Sequence, residues 1–154
     1  MSVEAKNRKI RVLFVCVHNS ARSQMAEACL NHLGGDRFEA ESAGLEPTKI
    51  NPLVIEAMKE IGIDISMNRT DRVFDVFKQG RLYRYVITVC DEASAERCPL
   101  FASHATYFHW PFENPESFTG SHGERLGKIR DLRDRMKNKV EEFIAKHSEE
   151  GGDR

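Results

Sequence analysis

Cys16 and Arg22 stand with five residues between them, and Ser23 follows directly. If the intervening backbone curls, successive N–H groups converge on one concavity at the start of a helix, which is an anion nest. Val17, His18, Asn19, Ser20, Ala21 and Arg22 would then surround a tetrahedral oxyanion. Arg22 adds a planar fork that matches two of its oxygens, where a lysine would match less well. Cys16 at the floor feels the same positive field, which favours the nucleophilic thiolate. Ser23 is placed to hydrogen-bond that thiolate, and Asn19 tolerates the left-handed backbone a tight loop requires. Four cysteines and 14 arginines give about 0.36 chance pairings at this spacing, and about 0.035 once Ser or Thr must follow the Arg. The plainer alternative is a buried free cysteine at a strand end with an arginine on the next helix.

The other cysteines are Cys29, Cys90 and Cys98. Cys29 falls on the apolar stripe of a helix and reads as core. Cys90 directly follows an apolar strand, with Cys98 beyond it. With His104 and His109 these two could form a zinc site, but seven residues between the cysteines exceed the usual two to four. They could also be ordinary buried residues. His18 reads as a solvent-facing loop residue or as a neighbour that tunes Cys16. Trp110 either walls the pocket mouth or closes the core. No metal or cofactor is called for.

Residues 10–15 (IRVLFV) form a mostly apolar run of strand length that stops at Cys16, as a buried parallel strand does. From Ser23, Ala26, Cys29, Leu30 and Leu33 recur at helical spacing until Gly34 and Gly35. A second strand is expected over 38–42. Asn51 and Pro52 open a helix that runs through Ile55, Met58 and Ile61 to Gly62. One short helix is expected around Phe74 and Phe77, then strands over 83–89 and 105–110. Leu126, Ile129, Leu132, Met136, Val140, Phe143 and Ile144 step at three and four residues, which predicts a long C-terminal helix. Alternating strands and helices imply an α/β fold, a parallel sheet flanked by helices with right-handed crossovers. Ligands bind such sheets beyond the strand C-termini, where Cys16, Cys90 and the loop after Trp110 converge.

A chain of 154 residues, 40% hydrophobic and 31% charged, fits one soluble domain. Residues 10–147 are expected to fold, with 1–9 a flexible tail and 148–154 frayed. The 23 basic and 24 acidic residues nearly cancel, so no field argues for nucleic acid, and any anion site is local. The polar start gives no secretory signal, and the apolar run 12–17 is too short to cross a bilayer. Cysteines in that context imply reduced thiols and a cytoplasmic location.

Residues 12–27 (VLFVCVHNSARSQMAE) resemble the opening of the low-molecular-weight protein tyrosine phosphatase fold, most closely its thioredoxin-coupled arsenate reductase branch. Segments 42–44 (SAG), 51–65 (NPLVIEAMKEIGIDI), 86–91 (VITVCD) and 109–112 (HWPF) agree, so the resemblance spans about 10–143. It implies a single domain with a four-stranded parallel sheet, and Cys16 as nucleophile in a loop completed by Asn19, Arg22 and Ser23. It further implies a relay. Cys16 attacks arsenate, Cys90 attacks the adduct and releases arsenite, and Cys98 takes over the disulfide, which thioredoxin reduces. The same resemblance allows a phosphatase acting through a Cys16 phosphocysteine. If residues 91–97 are helical, Cys90 and Cys98 lie roughly 12 Å apart and that segment must unwind to let them bond. The family's acidic loop carries Asp before Pro, whereas Asn114 stands before Pro115 here, with Glu113 ahead of it. An amide cannot protonate a leaving group. Either Glu113 takes over by a small loop shift or the acid is dispensable; arsenate loses only hydroxide or water, so a missing acid should hurt it less than a phosphate ester.

Overall fold

The apolar run after Lys9 forms β1 (Ile10–Cys16), buried on both faces of the sheet except at Arg11. It pairs in parallel with β2 (Phe38–Gly44) on one side, Cys16 standing opposite Gly44. On the other side it pairs with β3 (Tyr85–Thr88), which in turn pairs with β4 (Thr106–His109). The order is β2-β1-β3-β4, all parallel. The structure, a computed structural model, describes residues 9–18, 20–90 and 105–148. Asn19, Cys98, His104 and the segment expected to unwind therefore lie outside the described residues.

Helices α1 (Arg22–Gly34), α2 (Pro52–Lys59) and α4 (His122–His147) gather over one sheet face, and α1 and α2 both pack on α4. The alternation of β1 sends Ile10, Val12, Phe14 and Cys16 into that core, where they meet Met25, Leu30, Met58, Ile129, Leu132 and Met136. Leu13 and Val15 face the other side and pack with Val73, Val76, Tyr83 and Val86 under α3 (Val73–Lys78). Trp110 belongs to the first core. Its ring lies 5.8 Å from those of Phe14 and Phe143, so of its two readings the structure selects core closure.

Several boundaries differ from the periodicity. α2 stops at Lys59, because Gly62 takes the left-handed backbone (φ 83°) that turns the chain away. α4 begins four residues before Leu126, because Ser121 and Glu124 form a reciprocal capping box. β3 is shorter than 83–89, although its ladder bonds reach Arg84 and Val89. Around Phe74 and Phe77 the helix forms, yet Val73 and Val76 are its buried residues.

Candidate active site

Cys16 ends β1, and its Sγ lies 2.9 Å from Ser23 Oγ, both groups buried. Between them the chain turns through a loop whose carbonyls are held by the segment after β2. The carbonyls of Cys16, Val17, His18 and Ser20 accept from the amides of Leu45 (3.2 Å), Glu46 (2.7 Å), Thr48 (3.0 Å) and Asn51 (2.8 Å). In a trans peptide the N–H points opposite to the carbonyl, so the amides of Val17, His18 and Ala21 turn away from that segment. α1 then starts from Ala21 with no side-chain cap, whereas Asn51 closes α2 and Ser121 closes α4. An uncapped helix start behind inward amides has the polarity of an anion site.

Arg22 is buried at the first position of α1, and its Nη1 donates to the Phe112 carbonyl at 3.0 Å. Phe112 lies early in the loop that follows β4. In that loop the Asn114 Oδ1 accepts from the Glu116 amide at 3.0 Å and caps a 3-10 turn (Pro115–Ser117). The Ser117 hydroxyl donates to the Asn114 carbonyl at 2.6 Å. Glu113 is ion-paired with Arg135 of α4, which also donates to Asp131. The acidic residue offered by the sequence is thus turned toward α4.

Cys90 is fully buried where β3 gives out. Val15 pairs with Thr88, and the Val89 amide donates to the Val15 carbonyl at 2.9 Å. Cys90 is therefore one residue beyond the register position of Cys16, at a bend in the chain. A lateral step of about 4.8 Å and an axial step of about 3.3 Å separate such Cα atoms by about 6 Å, within the disulfide range of 4.4–6.8 Å. His18 is half-buried and its Nδ1 lies 3.1 Å from the Glu46 carbonyl. His109 Nδ1 is hydrogen-bonded to Thr88 Oγ1 at 2.6 Å. Cys29 faces the core from α1, and burial pushes its thiol up to about 12. The tertiary partners of Arg22, Glu113 and Asn51 were not read from the sequence. Asn51 was legible as a helix cap, but the reach of its amide to Glu116, 2.5 Å, crosses to a loop more than 60 residues away.

The profile of the family described as low molecular weight phosphotyrosine protein phosphatase matches residues 11–151. The chain belongs to that family. Within the family, it is 37% identical over 133 residues to the arsenate reductase of Bacillus subtilis, covering 86% of this chain and 93% of the relative. A solved arsenate reductase in oxidized state superimposes with a TM-score of 0.72 at 31% identity, over 88% of this chain and 97% of that one. The thioredoxin-dependent arsenate reductase of Corynebacterium glutamicum gives a TM-score of 0.60 at 30% identity, over 88% of this chain and 63% of that one. Among the described residues of this family member, no helix is long and apolar enough to cross a membrane.

Proposed function

We propose that the protein is an arsenate reductase in which Cys16, Cys90 and Cys98 pass a disulfide that thioredoxin reduces. Cys16 is the nucleophile. Val17, His18, Asn19, Ser20 and Ala21 form the oxyanion loop, Arg22 is the clamp, and Ser23 steadies the thiolate through its 2.9 Å contact. Attack of the Cys16 thiolate on arsenate forms a sulfur–arsenic bond as hydroxide or water leaves. The Cys90 thiolate then attacks the Cys16 sulfur. The sulfur–arsenic bond breaks, its electron pair stays on arsenic as arsenite, and two thiols have become one disulfide. Cys98 displaces Cys16 from Cys90, and the dithiol of thioredoxin takes the Cys90–Cys98 bond. A reducing compartment, the cytoplasm, follows from that partner.

The observation that carries the reading is the burial of Cys90 at the end of the strand paired with β1. Phosphate ester hydrolysis makes no use of a second thiol, so a cysteine whose Cα stands about 6 Å from that of Cys16 suits a disulfide. The alternative, hydrolysis through a Cys16 phosphocysteine, draws on the same loop and on the name of the family. Asn114 weighs against it, because its amide has no proton to lend a poor leaving group.

Single turnover with arsenate and no thioredoxin, followed by peptide mapping, tests the relay. Wild type should finish with Cys90 bonded to Cys98. Cys98→Ser should release one arsenite and trap Cys16 with Cys90, while Cys90→Ser should hold arsenic on Cys16. Unchanged redox states of Cys90 and Cys98, with normal aryl phosphate hydrolysis by their double variant, would establish the phosphatase instead.

A further inference from the structure

Asn51 touches both halves of the site. Its backbone amide donates to the Ser20 carbonyl of the oxyanion loop at 2.8 Å. Its side-chain oxygen accepts from the Leu53 amide at 2.9 Å, which closes the start of α2. Its side-chain nitrogen donates to Glu116 Oε2 at 2.5 Å, in the 3-10 turn of the loop after β4. That loop carries Phe112, whose carbonyl holds Arg22. The contacts therefore close a ring: Ser20 to Asn51, Asn51 to Glu116, along the chain to Phe112, across to Arg22, and back through Ala21 to Ser20. Asn114 stiffens the loop side of the ring, since its side chain accepts from the Glu116 amide and its carbonyl from the Ser117 hydroxyl.

We infer that Asn51 and Glu116 are positioning residues that clasp the loop after β4 onto the oxyanion loop and so set the aim of the Arg22 guanidinium. Arg22 has one Nη1 hydrogen bond to a carbonyl whose location depends on that loop. If the loop drifts, the guanidinium follows the carbonyl or loses it, and its fork no longer meets the anion bidentately. The clasp itself joins an amide donor to a carboxylate at the rim, with no part in bond making. It sits on the same element that orients the Ala21 amide through Ser20, so one residue registers both anion-binding parts against each other. The inference deepens the oxyanion-site reading above and rests on it.

The contact has a reversible polarity, which supplies the test. Asn51→Asp keeps the cap, because Asp caps as well as Asn, but sets a carboxylate against Glu116. Glu116→Ala removes the acceptor on an exposed turn without touching α2. Each should weaken phosphate binding to the reduced protein about three- to tenfold, as loss of a rim hydrogen bond to a charged group does. Each should raise KM for arsenate by the same factor and leave kcat within about twofold, the pattern of lost uniform binding. Adding Glu116→Gln to Asn51→Asp restores an amide–carboxylate pair with donor and acceptor exchanged, and affinity should return to within about twofold of wild type.

Phosphate titration calorimetry on the four proteins reads the clasp directly, and melting curves confirm that each is folded. Wild-type affinity in Glu116→Ala overturns it, even if Asn51→Asp is weak, since Asn51 would then act through Ser20 alone. Failure of the exchanged pair to recover also overturns it. An absence of arsenite from wild type with arsenate and thioredoxin would defeat the reductase reading separately, leaving the phosphate titrations to decide the clasp.

Discussion

Replacing Arg22 by Lys keeps the charge and removes the fork. Arg22 is 3% exposed, and one of its guanidinium nitrogens already serves the Phe112 carbonyl. A single ammonium nitrogen cannot hold that carbonyl and two anion oxygens in one plane. At least one hydrogen bond to a charged partner is lost, about 1.5–3 kcal/mol, and at 1.4 kcal/mol per tenfold this raises the phosphate Kd roughly 10- to 150-fold. The Phe112 carbonyl also loses its buried donor, a further cost of about 1–3 kcal/mol on folding. In a chain of this size that lowers Tm by roughly 2–10 °C. Calorimetric titration of the reduced protein with phosphate measures the first effect. Thermal unfolding followed through Trp110, the single tryptophan and a core residue, measures the second. An affinity within threefold of wild type would refute the fork, and an unchanged Tm would refute the carbonyl anchor.

Asn114→Asp should keep the cap with one oxygen and offer a carboxylic acid with the other, raising hydrolysis of phosphate esters with poor leaving groups roughly 10- to 100-fold. An equal rise in arsenate reduction would contradict the claim that arsenate needs no acid. Hydrogen bonds from Arg130 hold Glu60 at about 2 from 4.5, with Arg133 adding to them against some desolvation. Its folded carboxylate binds fewer protons than the unfolded one, so its stabilisation is complete above pH 4.5 and is lost as pH falls through about 2. Glu60→Gln should flatten that limb of the acid-unfolding curve, and an unaltered curve would count against the pairing. Cys29, buried with a thiol at about 12, should resist iodoacetamide at neutral pH until the chain unfolds, as peptide mapping would show.

Local pattern sufficed for much of this protein. The apolar run of β1 stops at Cys16, and a strand buried on both faces cannot continue into a polar loop without leaving the sheet. The five-residue gap to Arg22 follows from loop and first helical turn, both short-range structures. The long stripe from Leu126 to Phe143 reads as α4 because every third or fourth residue enters one core. Apolar runs marked the four strands and their alternation with helices the parallel sheet, the resemblance of these segments to a known family implied that all four share it, and register then set Cys90 one step past Cys16. Tertiary structure alone decided what the polar side chains do. Trp110 had two equal readings, and packing against Phe14 and Phe143 selected one. Glu113 was a candidate acid by position, but Arg135, brought alongside by α4, engages its carboxylate. Asn51 announced a helix start, yet its second bond depends on where the loop after β4 comes to rest. Periodicity reports which face of an element is dry, whereas a hydrogen bond between distant segments depends on angles and distances that only the closed fold defines.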